Sequence, residues 1–341
     1  MRIGIVGAGA IGGWLGVRLA RRRHEVSVLA RGQTLDALKE RGWRLDIDGE
    51  TLSARVTASD DAADLGMQDV VLITVKGPAL PALAPLIVPM IGPTTLVVPM
   101  MNGVPWWFHQ GGGGELPPTQ LRSVDPDGAI AAALPYGQII GNVVHAAAGV
   151  QAPGHVVHKA GNRLIFGEPS GRLTTRLDQL CTAFEDAGFV TERSERIRYD
   201  IWYKLWGNMT MNPISAMTGA TCDKILDDPL VAGLVLQVMA EAQMIGARIG
   251  CAITERGVDR NAVTRQLGAF KTSMLQDVEA GRPLEIDQLL SAPREIAGKL
   301  GIETPMLDAL TALTRLFAQQ NGLYPEQTAS RASRHLFAVE A

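Results

Sequence analysis

The chain has 341 residues, of which 46% are hydrophobic and 20% are charged, a composition that excludes an intrinsically disordered protein. Its formal charge of −3 and its pI of about 6.1 leave no basic surplus for neutralising phosphates, so nucleic acid is not an expected partner. At about 100 to 200 residues per domain, the length predicts two domains.

The cysteines and the first residues indicate a cytoplasmic protein. Cys181, Cys222 and Cys251 are far apart and form no C-x-x-C pair, so neither a disulfide framework nor a zinc site is expected. Residues 1–6 lead straight into a glycine turn, without the basic start and long apolar stretch of a signal peptide. Residues 79–101 are uncharged and long enough to span a bilayer, but five prolines interrupt them. We therefore expect no membrane partner, and a short buried helix followed by a buried strand.

The first elements in chain order are a strand, a glycine turn and a helix. The apolar run of residues 2–6 precedes the turn, and apolar residues then recur at helical spacing as far as Arg22. In such a turn the first glycine permits the bend, the second lets the backbone approach a pyrophosphate, and the third lets helix and strand pack closely. We therefore predict a Rossmann dinucleotide-binding domain of the α/β class, with cofactor contacts from Gly7, Ala8, Gly9, Ala10, Ile11 and Gly12.

The end of the second predicted strand, residues 25–29, indicates which dinucleotide is preferred. An acidic residue there would bond the ribose 2′-hydroxyl of NAD, but the chain continues with Ala30 and Arg31. Because a guanidinium can hold a 2′-phosphate through two hydrogen bonds, we predict NADP as the cofactor and Arg31 as its ligand. The alternative is that Arg31 is a solvated surface side chain.

Two further predicted strands, residues 70–75 and 95–100, are followed by Lys76 and Asn102. Ligands of open parallel sheets bind beyond the carboxyl ends of the strands, so both side chains are predicted to face a cofactor or substrate. The alternatives are a surface lysine and an ordinary Asn-Gly turn.

Residues 105–195 contain short alternating runs, which we interpret as a continuation of the sheet. His155 and His158 lie in this region without further ligands at metal-binding spacing, so no metal site is expected. Residues 106–109, Trp-Trp-Phe-His, precede four glycines and are predicted to form an aromatic cluster on a flexible loop, either as a lid or as an association patch.

From about Ser194 onward the apolar spacing is helical, which predicts domains of residues 1–194 and 195–341, the second all-helical. Glycine or proline separates most of the predicted helices, which lie near residues 196–218, 229–250, 259–280, 286–300 and 304–320.

The first of these helices carries a narrow polar stripe. Lys204, Asn208 and Asn212 are spaced by four residues and therefore lie along one side of the helix. Most such stripes are solvated faces. Here the neighbouring residues are mainly tryptophan, leucine and methionine, so a buried stripe would be costly without a partner, and a ligand would explain it.

Together these motifs resemble those of the ketopantoate reductases (2-dehydropantoate 2-reductases), NADPH-dependent enzymes of pantothenate synthesis. The resemblance covers nearly the whole chain and includes G-A-G-A-I-G with Arg31, Lys76, Asn102-Gly103, and P-G-H-V-V-H with Gly167-Glu168. Its most specific segments are K-L-W-G-N-M-T-M-N-P (204–213) and T-S-M-L-Q-D-V-E-A-G-R-P-L-E-I-D (272–287). It implies a Rossmann domain followed by an all-helical domain, as in 6-phosphogluconate dehydrogenase-like folds.

The resemblance also implies residue roles. The general acid would be Lys204, with Glu285 assisting catalysis and substrate binding. The substrate would be held by Asn208, Asn212, Ser273 and Asn102, and Lys76 and Asn102 would lie beside the nicotinamide. These residue types suit the reaction, because hydride addition to a C2 carbonyl creates an alkoxide that needs a positive proton donor.

Two departures concern the substrate. Cys222-Asp223 stands where the family pattern has Asn-Gly, and the loop of residues 106–120 is longer than the family pattern. A relative acting on another 2-oxo acid therefore remains an alternative. A non-catalytic NADP-sensing protein is a further one, which the retention of Lys204, Ser273 and Glu285 disfavours. The apolar helices and the tryptophans leave a homodimer open.

Overall fold

Five parallel strands form the first sheet of the computed structural model, which describes residues 1–266 and 268–325. Strands and helices are numbered in chain order, and the order of strands in this sheet is β5-β2-β1-β6-β7. The bounds are β1 (Arg2–Val6), β2 (Glu25–Leu29), β5 (Thr57–Ser59), β6 (Gln68–Ile73) and β7 (Ile91–Pro99). This open parallel sheet confirms the predicted Rossmann fold.

Short helices connect these strands. They are α1 (Ala10–Ala20), α2 (Gly32–Arg41), α3 (Ala62–Leu65) and α4 (Leu80–Leu83). Helix α4 lies within a run of helical turns from Gly77 to Met90, and β7 follows at once. The short helix and buried strand predicted for residues 79–101 are therefore confirmed.

The alternating runs beyond residue 105 lie mainly in a second sheet. Only a single parallel bridge, between Ile139 and Val97, extends the first sheet among the described residues, so the interpretation was wrong for most of these runs. The order of the second sheet is β10-β9-β3-β4, with β8 paired to β9. The bounds are β3 (Trp43–Ile47), β4 (Glu50–Ala54), β8 (Gly141–Ala152), β9 (His155–Gly167) and β10 (Val190–Arg193). Strand β3 of the β3–β4 hairpin pairs with β9 in parallel, so β9 is joined to this hairpin and not to the first sheet. The sequence signal of the hairpin is the turn Asp48-Gly49, where both residues have positive φ.

Helix α1 is packed tightly against the second sheet through its glycines. A Cβ at Gly13 would lie 2.6 Å from Val156, and a Cβ at Gly16 would lie 2.4 Å from Trp43. This close approach fixes α1, and with it the glycine turn that precedes it, between the two sheets.

All elements described from Ile197 onward are helical. They are α7 (Ile197–Thr218), α8 (Cys222–Asp227), α9 (Pro229–Arg248), α10 (Gly257–Arg265), α11 (Ser273–Glu279), a π-helix (Asp287–Ser291), α12 (Ala292–Leu300) and α13 (Pro305–Gln320). Two more helices, α5 (Ala129–Ala133) and α6 (Thr175–Asp186), precede them. The single helix predicted for 259–280 was wrong, because Gly268 has a φ of +62° and Thr272 caps a new helix. Residues 267 and 326–341 of the predicted helical domain lie outside the described residues.

Helix α9 is long and apolar enough to cross a membrane by length and composition alone. It nevertheless packs against α7, α8, α12 and α13. Glu241, in its interior, accepts hydrogen bonds from the Met306 and Leu307 amides at the start of α13, at 2.9 and 2.8 Å. We therefore interpret α9 as a core helix.

The aromatic loop is not a flexible lid. Trp106, Trp107 and Phe108 are each about 1% exposed and belong to the hydrophobic core. The same core joins one face of the first sheet, including Val6 and Ile73, to α7. Removing these large aromatic side chains from water stabilises the fold, whereas leaving them on an exposed loop would not. The tryptophans therefore give no support to a dimer, and α7 is held next to the sheet.

Candidate active site

The glycine turn has the local structure that the sequence predicted. Gly7 has a φ of +103°, which glycine adopts readily, and its amide donates to the Leu29 carbonyl oxygen at 3.1 Å. Thr74, which sequence reasoning missed, donates its hydroxyl to the carbonyl oxygens of Gly7 (2.6 Å) and Val6 (3.1 Å). The ends of β1, β2 and β6 are thereby tied together around the turn.

The space around the turn fits a dinucleotide pyrophosphate. A Cβ at Gly12 would lie 2.1 Å from the Gly7 carbonyl oxygen, so this glycine is needed for packing inside the protein. A Cβ at Gly9 would meet nothing within 4 Å, so this glycine faces open space. Gly9 begins α1 without a side-chain cap, and the first turn holds no acidic residue. The free amides at this helix start can therefore receive an anion.

Arg31 lies at the same edge of the first sheet. It follows β2 directly, precedes α2 and is exposed, and Leu29 pairs with Val6 at the end of β1. In the part of the chain that the structure describes, no acidic side chain forms an ion pair with Arg31. A free guanidinium beside the glycine turn suits a 2′-phosphate.

Lys204 of α7 reaches the carboxyl end of β7. Its ammonium donates to Asn102 Oδ1 at 2.8 Å and to the Val144 carbonyl oxygen at 2.7 Å. Burial of the ammonium lowers the pKa of Lys204 to about 8, against the negative charge of Glu285, which raises it. An ammonium has three N–H donors, so the third can serve a substrate oxygen.

Glu285 is buried, with 8% of its surface exposed, and its Oε1 accepts a hydrogen bond from the Gly77 amide at 3.3 Å. Burial raises the pKa of Glu285, while the positive charges of Lys76 and Lys204 and the Gly77 hydrogen bond oppose that rise. No hydrogen bond or ion pair joins Glu285 to Lys204, so the two interact through space.

Lys76 has a partner that sequence reasoning missed. Its ammonium forms an ion pair with one carboxylate oxygen of Asp277 in α11. The other carboxylate oxygen of Asp277 accepts a hydrogen bond from Arg282 Nε at 3.0 Å. Asp277 is 5% exposed. This contact links the loop after β6 to the helical part of the chain, and the role of Lys76 toward a cofactor stays a prediction.

Gln288, also missed, lies between the two turns that follow β6 and β7. Its backbone carbonyl oxygen accepts a hydrogen bond from the Val104 amide at 2.8 Å. A Cβ at Gly103 would lie 2.5 Å from that oxygen, and a Cβ at Gly77 would lie 2.2 Å from the Gln288 side-chain amide. Gln288 belongs to the π-helix that begins two residues after Glu285. Its contacts therefore fix the turns that present Lys76 and Asn102 relative to Glu285.

The other predicted substrate residues lie on α7 and α11, which pack against each other. Asn208 is half-buried and Asn212 is 5% exposed, and among the described residues neither side chain has a hydrogen-bond partner. Ser273 is exposed at the start of α11. The polar stripe of α7 is thus present and mostly buried, as a ligand-facing stripe would be.

The family models describe the chain in two consecutive parts. The model for ketopantoate reductase PanE/ApbA matches residues 3–171, and the model for its C-terminal part matches residues 196–318. A 2-dehydropantoate 2-reductase of Mesorhizobium japonicum is 44% identical over 326 residues, which cover 95% of this chain and 100% of the relative. The chain belongs to the ketopantoate reductase family. It is accordingly an oxidoreductase of a dinucleotide-dependent family.

Solved structures agree on the fold. A Ralstonia solanacearum protein, described as a candidate ketopantoate reductase, is 55% identical, and its crystal structure superposes with a TM-score of 0.91 over 95% of this chain and 99% of that chain. A D-mandelate dehydrogenase with NADH and anilino(oxo)acetate superposes with a TM-score of 0.80 over 95% of this chain and 100% of that chain, at 20% identity. The second likeness concerns the fold alone.

The structure buries Cys222, which departs from the family pattern. Cys222 is 2% exposed at the start of α8, and its amide donates to the Phe270 carbonyl oxygen at 3.1 Å. Burial raises the pKa of its thiol to about 11. Asp223 is bonded to the Thr221 hydroxyl. A buried, protonated thiol and an engaged carboxylate do not replace an amide donor for a substrate hydroxyl.

Proposed function

We propose that the protein reduces 2-dehydropantoate (ketopantoate) to (R)-pantoate with NADPH, as a step of pantothenate biosynthesis. The observation that carries this proposal is the hydrogen bond between Lys204 and Asn102. It joins a proton donor to the carboxyl end of a parallel strand, where ligands of such sheets bind. Membership of the ketopantoate reductase family supports the same reaction.

The residues that would hold NADPH are those of the glycine turn, with Arg31 at the 2′-phosphate and with Lys76 and Asn102 near the nicotinamide. The open space at Gly9 and the uncapped start of α1 favour this assignment. When bound, NADPH supplies the hydride that reduces a C2 carbonyl.

Lys204 supplies the proton. The ammonium stabilises the negative charge that develops on the C2 oxygen, and a proton passes from Nζ to that oxygen. Because the pKa of Lys204 is lowered to about 8, the group is charged at neutral pH yet gives up its proton at little cost. Hydrogen bonds to Asn102 and Val144 hold the ammonium in one orientation throughout.

The substrate would contact Asn102, Asn208, Asn212, Ser273 and Glu285. The two asparagines of α7 have unused donors and acceptors for hydroxyl groups, and Glu285, held by the Gly77 amide, can accept a hydrogen bond from one hydroxyl. Its negative charge also favours the protonated form of Lys204.

A second candidate function is the reduction of another 2-oxo acid by the same mechanism. The buried Cys222 favours it, because a site that lacks one hydroxyl-binding group discriminates less strongly in favour of that hydroxyl. We further propose that residues 1–194 form the cofactor domain and 195–341 the substrate domain, and that the protein is a cytoplasmic homodimer.

The experiment follows NADPH absorbance with ketopantoate and with a panel of unbranched and aromatic 2-oxo acids, and repeats each assay with NADH. A kcat/KM for ketopantoate well above that of every other acid is expected. Efficient turnover of a different acid alone would move the assignment to the second candidate, and no turnover of any 2-oxo acid would contradict both.

A further inference from the structure

Glu285 lies in a non-helical stretch between α11 and the π-helix. Gly281, with a φ of +61°, and Pro283 interrupt the helical path, which resumes at Ile286. Among the described residues, the Glu285 carboxylate has one hydrogen bond, from the Gly77 amide at 3.3 Å. That bond is longer than the usual range of about 2.7 to 3.2 Å. The position of this carboxylate therefore depends on how the backbone around it is held.

The segment after α13 holds this backbone on the side that precedes Glu285. Helix α13 ends in a turn at Gly322, where φ is +67°, and the Leu323 amide donates to the Ala318 carbonyl oxygen at 2.7 Å. Beyond this turn, the Leu323 carbonyl oxygen accepts a hydrogen bond from the Leu284 amide at 3.0 Å. Because Leu284 is fully buried, its amide needs a partner within the protein, and this bond provides it.

Tyr324 holds the backbone on the side that follows Glu285. Its hydroxyl donates to Asp287 Oδ1 at 2.7 Å, and the Ser291 hydroxyl donates to the same oxygen at 2.9 Å. Burial raises the pKa of Asp287, while these two hydrogen bonds and the charge of Arg315 oppose that rise. The bond from Ser291 stays within the π-helix, whereas the bond from Tyr324 spans 37 positions of sequence. Tyr324 therefore ties the start of the π-helix to the segment after α13.

The two bonds lie one residue before and two residues after Glu285, which the proposed site uses. The charges that act on its carboxylate come from Lys76, Asp277 and Lys204. In return, the negative charge of Glu285 raises the pKa of Lys204. Such an interaction weakens with distance and with access of water, so it depends on where the carboxylate is held. A contact with substrate depends on position as well, since a misplacement of about 1 Å can cost about 10²-fold in rate.

We propose that Tyr324 is a positioning residue for Glu285, acting through its hydrogen bond to Asp287. This rests on the proposed function, in which Glu285 contacts the substrate and favours the protonated form of Lys204. Without the hydroxyl, the start of the π-helix loses its link to the segment after α13. The Glu285 carboxylate then has little to fix it besides the long bond from the Gly77 amide.

The test compares Tyr324→Phe with the wild type through pH profiles of kcat/KM for ketopantoate in the full-length protein. Removing the hydroxyl should lower kcat/KM by about 3- to 30-fold, a fraction of the loss that a displacement of about 1 Å can cause. The declining limb should move to lower pH, because a loosely held Glu285 gains water, which weakens its effect on Lys204. The matched control is Gln319→Ala, which removes a hydrogen bond of 3.2 Å to the Pro325 carbonyl oxygen in the same segment and does not touch the π-helix.

Variants of Asp287 test whether Tyr324 acts through this carboxylate. Asp287→Asn keeps an oxygen that can accept the Tyr324 hydroxyl, so it should retain most of the activity and the position of the limb. Asp287→Ala should resemble Tyr324→Phe. Because the two side chains form one contact, adding Tyr324→Phe to Asp287→Ala should cause little further change.

The pKa of Lys204 is also measured without turnover, from the pH dependence of its acetylation by acetic anhydride, read by mass spectrometry. Tyr324→Phe should lower this pKa, and Gln319→Ala should not. A limb and an acetylation profile that stay in place, or move to higher pH, would overturn the proposal, whatever the change in melting temperature. An equal response of Gln319→Ala would overturn it as well. If the wild type turns over no 2-oxo acid, the proposed function fails, and the acetylation profile still decides whether Tyr324 positions Glu285.

Discussion

The Lys204 ammonium and the Asn102 side-chain oxygen are 2.8 Å apart, which connects α7 to the carboxyl end of β7 across 102 positions of sequence. The contact also fixes the Asn102 amide. Because its oxygen accepts from Lys204, its nitrogen is left to donate toward the proposed nicotinamide or substrate. One hydrogen bond thus orients both the proton donor and a neighbouring polar group.

Removal of the ammonium should stop the chemistry and spare the cofactor. We expect Lys204→Ala to lower kcat by about 10²- to 10⁴-fold, the usual contribution of a general acid. NADPH affinity, measured by fluorescence titration, should stay near the wild-type value because the glycine turn is untouched. Lys224→Ala, which removes an exposed lysine on α8, is the control and should leave both quantities unchanged. A kcat near that of the wild type would contradict the assignment.

The rate should depend on pH through Lys204. Reduction requires the protonated ammonium, so kcat/KM should decline as pH rises through about 8. Glu285→Gln removes the negative charge that raises the pKa of Lys204, so the declining limb should move to lower pH. The pH at which kcat/KM declines is the quantity to compare. The rate itself is not a suitable measure, because Glu285 also contacts the substrate in the proposed site and its substitution lowers the rate at every pH. A limb that stays in place, or moves to higher pH, would contradict this coupling.

Alanine substitutions at two glycines of the same turn should have different effects. Gly9→Ala introduces a methyl group into open space, so the melting temperature should stay unchanged while NADPH binding weakens. Gly12→Ala places a Cβ 2.1 Å from the Gly7 carbonyl oxygen, so the protein itself should be destabilised, by roughly 1 to 3 kcal/mol. Melting curves without cofactor and NADPH titrations separate the two effects. Equal destabilisation in both variants would mean that Gly9 does not face the cofactor.

Sequence patterns predicted the elements whose signals are local. The β2 bounds, the glycine turn and the helix carrying Lys204 follow from short periodic runs and from glycine chemistry. The partner of Lys76 could not be predicted, because Asp277 approaches it from 201 positions away along the chain and no local pattern encodes that pairing.

The burial of residues 106–108 was missed for a related reason. Their neighbours are glycines and prolines, which are typical of exposed loops, and only the packing of Phe108 against Trp202 of α7 shows where the aromatic side chains lie. The position of Gln288 could not be predicted either. It packs against two distant turns, in which Gly77 and Gly103 have no side chain that would collide with it.

Arg31 should determine the preference between the two nicotinamide dinucleotides. We expect Arg31→Ala to weaken NADPH binding by about 10- to 100-fold, the value of a charge-assisted hydrogen-bonded pair, and to leave NADH binding nearly unchanged. The exposed Arg41 at the end of α2 provides the control variant, Arg41→Ala. Dissociation constants for both dinucleotides check the prediction, and equal losses for NADPH and NADH would argue against a 2′-phosphate contact.

His109 should make the folded protein sensitive to acid. Its side chain is fully buried, and burial together with the positive charge of Arg198 lowers its pKa to about 3. The unfolded chain takes up a proton below about pH 6.5 while the folded protein does not, so stability is lost as pH falls from about 6.5 toward 3. The free energy of unfolding should therefore lose about 2 kcal/mol from this group between pH 7 and pH 5. In His109→Gln this loss is absent, so the difference between wild type and variant in urea unfolding should shrink or reverse on acidification. A difference that is the same at both pH values would show that His109 does not cause the acid sensitivity.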